Sequence, residues 1–477
     1  MFENWPLWAI VIGYILFIVI KGASKARKIS DADDFLIAGR NVGWFFLFCT
    51  MGATVIGGGA SVGAIGKTYD WGILMLLVST GWYLHLIFSG LVVAPKFREA
   101  ELYTVAGYFG HRFGEGPRFM ALLLSLAFSI FIVAAQMAAF GSVLTAIAPD
   151  FAEAREMLTW SILIGGTIVV IYSTLGGLLA VIHTDVYQFV ILVIGFIITL
   201  GFCVPDIVGS WDRITDNIKP SFFKLDGGRG WLFAITTFLA FFLGETFAPG
   251  YATRYCVGKN IKETRKGIAG VGFFLTIFFP VVLFFIALYA RIHFPEIDPQ
   301  QALPMVIKQL NNPVISGLII GALLMAVMSS ADSALNSSTT IFVKDLFEHQ
   351  LGWEDKGDGK TLRLARYCTV GLGLSAILCA AAWPDIIGLL LLTYHLWAPA
   401  VILPVIVGVY SKEKSPQHNR IILITMIVSV AGTLAYRFTE WSDKLDPSVF
   451  GVLLSCLIYF SARPLQSVFS RHAGRDN

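Results

Sequence analysis

Three carboxylates and one glycine run carry the chemistry of this chain: Asp185, Glu245, Asp332 and Gly57-Gly58-Gly59, each inside a long apolar stretch. An ionisable side chain at bilayer depth costs about 2.5–3.5 kcal/mol on insertion scales. Glycines at that depth free backbone groups that need a polar partner. Movement of an ion or a polar solute is the function such residues predict.

Asp332 lies in Ala326-Val327-Met328-Ser329-Ser330-Ala331-Asp332-Ser333. Positions 326, 329, 330 and 333 share one helix face, and Ser329, Asp332 and Ser333 form an overlapping patch turned slightly around the axis. A dehydrated Na⁺ is a hard cation that wants several oxygens. Hydroxyls, a carboxylate and the carbonyls of an unwound neighbour supply them. Serines alone would suit helix packing better, with hydroxyls bonded back to the preceding turn; Asp332 among them reverses this in favour of the ion. Asp185, in His183-Thr184-Asp185-Val186-Tyr187-Gln188, reads in two ways. It is either a cap at a helix start or, if it faces Asp332, part of a second cation or proton site.

Glu245 sits in Gly244-Glu245-Thr246-Phe247-Ala248-Pro249-Gly250. Trp82, Tyr83, Phe247, Tyr251, Tyr394 and Trp397 offer aromatic faces on the same or other apolar stretches. A carboxylate with aromatic walls suits an organic ammonium. The expected solute cavity is therefore Gly57, Gly58, Trp82, Glu245, Phe247, Tyr251 and Tyr394, and the expected solute a small cationic or zwitterionic amine. The alternative is an amino acid, sugar or carboxylate, with Glu245 only bonding freed backbone and the aromatics packing against neighbours or lipid.

The elements that must position these residues are membrane helices. The 477 residues are 56% hydrophobic and 14% charged, with mean hydropathy +0.72, where a soluble protein would carry about a quarter charged residues. Thirteen apolar spans are predicted, at 5–20, 43–66, 72–94, 118–147, 157–173, 181–204, 230–252, 268–290, 314–343, 364–382, 386–410, 420–437 and 447–461. Connections are too short for a soluble domain, so residues 1–477 form one membrane domain.

Basic residues gather in alternate loops: Lys96 and Arg98; Arg254, Lys259, Lys262, Arg265 and Lys266; Lys412, Lys414 and Arg420; Arg463, Arg471 and Arg475. Asp150, Glu153 and Glu156, against one Arg155, lie on the other side, followed by a mixed segment at 205–229. The positive-inside rule then puts the N-terminus outside and the C-terminus in the cytoplasm. Acidic Glu3 before the first span and basic Lys21, Lys25, Arg27 and Lys28 after it are the wrong polarity for a cleaved leader and predict an uncleaved first helix. A net charge of +3 gives no reason to expect nucleic acid.

Glycine and proline interrupt spans two and seven, five spans apart, the pattern of an inverted-repeat transporter with its site between the breaks. Close helix packing is the alternative use of Gly59-x-x-x-Gly63.

In order and spacing the chain resembles the sodium:solute symporter family, the sodium-driven carriers of sugars, proline, sialic acid and choline. The landmarks are Asp33-Asp34-Phe35 through Gly39-Arg40, Ala53 to Ile56, and Gly176-Gly177 with Thr184 to Gln188. Arg254, Lys262-Glu263-Thr264-Arg265-Lys266 and Met328-Ser329-Ser330 through Leu335-Asn336-Ser337 complete them, and the likeness runs over roughly residues 5–460.

This resemblance implies an all-α LeuT-like core of inverted five-helix repeats, about 41–206 and 230–411, with extra helices at 5–20, 420–437 and 447–461. It implies a sodium site between spans two and nine, with carbonyls from Ala53, Ile56 and Ala326 and hydroxyls from Ser329 and Ser330. A second site, found in some members, maps to Asp185, Ser329, Asp332 and Ser333. The span-nine string is similar to that of the choline carriers, although Val55 and Ala248 stand where those carry tryptophan.

The expected protein is a sodium symporter of the cell membrane, a bacterial inner membrane, working as a monomer by alternating access in the lipid bilayer. Na⁺ is its coupling ion and it needs no cofactor. An enzyme is not expected, because His85, His183 and His395 lack the spacing of a metal or nucleophile site. A transporter-like sensor and a passive channel are the remaining classes.

Overall fold

The computed structural model describes residues 5–26, 41–99, 104–148, 154–210, 214, 218–309, 312–353, 360–411 and 415–473. The landmarks Asp33-Asp34-Phe35 and Gly39-Arg40, the loop residues Arg27, Lys28, Asp150, Glu153, Lys412 and Lys414, and Arg475 lie outside them.

Every expected span falls on helix. Nine helices among the described residues are long and apolar enough to cross a membrane alone. Two bent pairs pass together: Trp44–Val55 with Gly59–Trp71, and Trp231–Glu245 with Pro249–Val257. Apolar helices over Trp5–Phe17 and Pro447–Ala462 are shorter.

Starts are written locally in the sequence. Asn260, Asn312, Asp385 and Ser415 each accept a backbone N–H from the first turn of the helix they precede, which satisfies a donor that has no partner within the helix. Pro313 and Pro416 open two of these helices, where a missing N–H costs nothing.

Spans five and six belong to one helical stretch, Ala154–Gly209. It does not run straight, because the Tyr172 and Thr184 hydroxyls meet at 3.0 Å. Twelve residues of straight helix would separate them by about 18 Å. The chain therefore doubles back into two legs, Arg155–Thr174 and Val181–Gly209.

Span nine lies at the centre of the bundle, with 83% of its apolar window buried against 33% for span six. It continues without a stop from Pro313 to Gln350, well past the expected end at 343.

At one end of the bundle the connection after span eight folds over the helices. The Tyr69 hydroxyl donates to the Phe294 carbonyl (2.6 Å), and the Ser142 hydroxyl to the Gln300 carbonyl (3.2 Å). The Ile386 N–H donates to the Gln300 side chain (3.3 Å). At the opposite end Asp345 accepts from Thr104 (2.6 Å) and Arg118 (2.8 Å), tying span nine to the start of span four.

Both interrupted spans bend where glycine and proline were expected to break them, by 55° and 50°. Gly57 and Gly58 nevertheless serve close packing. A Cβ on Gly57 would lie 2.2 Å from the Ser330 hydroxyl, and one on Gly58 2.1 Å from the Ala139 Cβ. Gly58→Val should lower the thermal unfolding midpoint in detergent, since overpacking costs about 1–3 kcal/mol. A midpoint equal to wild type would remove that contact from the fold.

Candidate functional site

The two breaks leave a central cavity. It is walled by Thr54, Val55, Gly59 and Ala60 of span two, Trp82 of span three, and Phe128, Ser129, Ile132 and Gln136 of span four. Glu245, Ala248, Gly250 and Tyr251 of span seven, Ser330 and Ala334 of span nine, and Leu390 of span eleven complete the wall. Of the expected cavity residues, Trp82, Glu245 and Tyr251 are in place. Gly57 and Gly58 are not, because they are pressed against spans nine and four. Phe247 is buried at the break itself with φ +65°, a strained value for a non-glycine residue. Tyr394 stands behind the wall, with its hydroxyl bonded to Glu245.

The bonding order around Glu245 is fixed by chemistry. An indole N–H can only donate, so Trp82 Nε1 donates to the Tyr394 hydroxyl (2.8 Å). The single hydroxyl hydrogen of Tyr394 then goes to Glu245 Oε1 (2.6 Å). One carboxylate oxygen is thereby committed to the wall. Glu245 is the one charged side chain among the lining residues. Its carboxylate makes no bond to the freed backbone of span seven among the described residues. His85 is buried behind this wall and stacks on Tyr251 at 5.4 Å between ring centres.

Beside the cavity the Ser330 hydroxyl lies 2.7 Å from the Thr54 carbonyl, 3.3 Å from that of Ala53 and 3.1 Å from that of Ala326. One hydroxyl hydrogen serves one of these acceptors at a time. Three carbonyls and a hydroxyl so placed form an oxygen-rich nest, the environment that a hard cation prefers. Ala53, Ala326 and Ser330 thus meet as expected, with Thr54 in addition. Ile56 ends the first half of span two and makes no hydrogen bond to span nine among the described residues. The Ser329 hydroxyl turns away from the nest and donates to Asp185.

Asp185 is no interfacial cap. It is fully buried and accepts from Ser329 and from Thr50. Arg254, assigned from sequence to a basic loop, is also fully buried, in the helix Pro249–Val257. Its guanidinium lies 3.8 Å from Asp185. It donates through Nε to Thr50 (3.3 Å), through Nη1 to the Gly250 carbonyl (3.1 Å) and through Nη2 to Ser333. Burial of so costly a charge is explained by these partners.

The second group of expected residues therefore divides. Asp185, Ser329 and Ser333 gather round a guanidinium. Asp332 instead accepts from Ser173 of span five, and its second oxygen has no hydrogen-bond partner among the described residues.

As site residues, Arg254, Thr50, Ser173 and Gln136 escaped the reading of the sequence. Gln136 left a signal: it is the one amide side chain in the apolar span 118–147. Arg254 left a weaker one, four residues beyond Gly250 and one helical turn inside its helix.

A model of the sodium:solute symporter family matches residues 35–417. The chain is 26% identical over 400 residues to a high-affinity choline transporter of Drosophila melanogaster, covering 80% of this chain and 63% of that one. It is 25% identical over 407 residues to the sodium/glucose cotransporter of Vibrio parahaemolyticus, covering 78% and 73%. With the high-affinity proline transporter PutP of Bacillus subtilis it shares 24% over 468 residues, covering 94% of each.

Among solved structures, a substrate-bound, outward-open Na⁺-coupled sialic acid symporter superposes with a TM-score of 0.81 at 22% identity, over 96% of this chain and 98% of that one. A transporter of the nucleobase-cation-symport-1 family, closed around bromovinylhydantoin, superposes with a TM-score of 0.54 at 14% identity, over 90% and 94%. The all-α fold is thus the LeuT-like one that the sequence led us to expect, in an integral membrane protein.

Proposed function

Because the chain belongs to the sodium:solute symporter family, we propose that it imports a small organic solute bearing an ammonium group, driven by Na⁺. The observation that carries this reading is Glu245. It is the one charged lining residue, anchored by the Trp82–Tyr394 relay in a cavity also lined by Trp82, Phe128 and Tyr251. A carboxylate with aromatic walls attracts an organic cation and disfavours a net anion.

Na⁺ sits at the Ser330 nest and joins span two to span nine, the two elements whose carbonyls and hydroxyl converge there. Its binding stabilises the form in which the cavity is complete. The membrane potential, worth about 2.3 kcal/mol per charge per 100 mV, then drives release on the inner side. Arg254 already neutralises Asp185, which favours one bound Na⁺ over two. The protein is a single domain of two inverted repeats acting as a monomer, with its N-terminus outside and its C-terminus in the cytoplasm of a bacterial cell.

Uptake into proteoliposomes across amines, amino acids, sugars and organic acids tests the reading. Amine-bearing solutes should be taken up only with an inward Na⁺ gradient. Glu245→Gln should lower their uptake by about ten- to a hundredfold, as expected for loss of a charge-assisted bond. Uptake restricted to sugars or organic acids, unchanged in Glu245→Gln, would refute it.

A further inference from the structure

We infer that Gln136 is the residue that recognises the far end of the solute, by donating its amide hydrogens to an oxygen acceptor, and that the solute is therefore a zwitterion rather than a simple cation. This rests on the ammonium reading of Glu245 and goes beyond it.

The orientation of the Gln136 amide follows from its neighbour. Gly58, at the bend of span two, lacks an acceptor within its own helix, and its N–H donates to Gln136 Oε1 at 2.7 Å. A backbone N–H can only donate, so the oxygen of the amide must point to Gly58 and the nitrogen must point elsewhere. That nitrogen has no hydrogen-bond partner among the described residues, and Gln136 lines the cavity. The broken helix thus holds a primary amide with its donor side towards the solute.

The face around it agrees. Ser129 and Gln136 are seven residues apart on span four, hence on one side of the helix. Both line the cavity, with Ile132 between them. The Ser129 hydroxyl also has no protein partner among the described residues. An amide and a hydroxyl, both able to donate, suit the two oxygens of a carboxylate. Glu245, on the broken span seven, is the only anionic counterpart among the lining residues. A solute with an ammonium and a carboxylate satisfies both ends, whereas a plain cation would leave the Gln136 donors desolvated and unpaired, a cost that rejects it.

Matched pairs that differ only in the carboxylate test this. Competition for Na⁺-driven uptake is measured with L-proline against pyrrolidine, glycine betaine against tetramethylammonium, and each common amino acid against its decarboxylated amine. In the wild type at least one zwitterion should compete about ten- to a hundredfold better than its amine. Gln136→Leu should reduce that preference to less than about threefold by weakening the zwitterion alone. Gln136→Glu keeps an acceptor for the Gly58 N–H, which guards against misfolding, and should reverse the preference towards the amine.

If in every pair that competes the amine does as well as its zwitterion in the wild type, or if the preference is unchanged in Gln136→Glu, the role of Gln136 is overturned while Glu245 stands. Silence from every pair overturns the ammonium reading itself.

Discussion

Ser330→Ala should raise the Na⁺ concentration for half-maximal uptake by at least about tenfold, the loss that even outer partners of a bound metal produce when removed. The geometry makes the effect specific. The Ser330 hydroxyl is the one side-chain oxygen hydrogen-bonded to the Ala53, Thr54 and Ala326 carbonyls among the described residues. Without it the carbonyls stay where the two backbones place them, so folding should be little changed while a ligand is lost. Solute affinity at saturating Na⁺ should change less than Na⁺ affinity, and the Hill coefficient for Na⁺ should stay near one because Arg254 competes for the neighbouring carboxylate. Na⁺ activation identical to wild type would take span nine out of the coupling mechanism. A Hill coefficient near two would restore a second ion beside Asp185 or Asp332.

Elements that repeat a local rule were legible in the sequence, and elements that depend on long-range pairing were not. Apolar length marks the helices, because lipid offers no partner for a backbone polar group. The Gly57–Gly59 and Gly244–Gly250 interruptions mark the bends for the same reason. The serine patch of span nine was readable because i, i+3, i+4 and i+7 spacing puts its members on one face.

What failed were inferences about depth. Arg254 looked like a loop residue because basic residues beyond an apolar span usually are. Its helix instead continues to Val257, and the guanidinium points back to Asp185 on a distant segment. Gly57 and Gly58 were assigned to the cavity because a bend implies an opening. At this bend the glycines admit Ser330, Gln136 and Ala139, and span two meets the opening through Thr54, Val55, Gly59 and Ala60 instead. Tyr394 was named for its ring, yet its hydroxyl is what orients Glu245.

Arg254→Ala should destabilise the protein by about 3–5 kcal/mol, the range expected when one partner of a buried pair is removed and the other charge is left alone. Few single changes in this chain should cost more. Asp185 would keep its bonds from Thr50 and Ser329, but two neutral hydroxyls do not replace a cation. Thr50 would also lose the Nε–H that it accepts at 3.3 Å, and the Gly250 carbonyl the Nη1–H at 3.1 Å. The double variant Arg254→Met with Asp185→Asn removes both charges and keeps the volume. The amide oxygen that replaces the carboxylate can still accept from Ser329 or Thr50, so most of the lost stability should return. Denaturant or thermal unfolding in detergent for the wild type, both single variants and the double variant gives the coupling directly. A double variant as unstable as the sum of its parts would show that the two charges are independent. The recovered stability should come with a transport defect. The Arg254 network joins span two through Thr50, span six through Asp185, and span nine through Ser329 and Ser333. An apolar substitute packs there without holding those spans in one register.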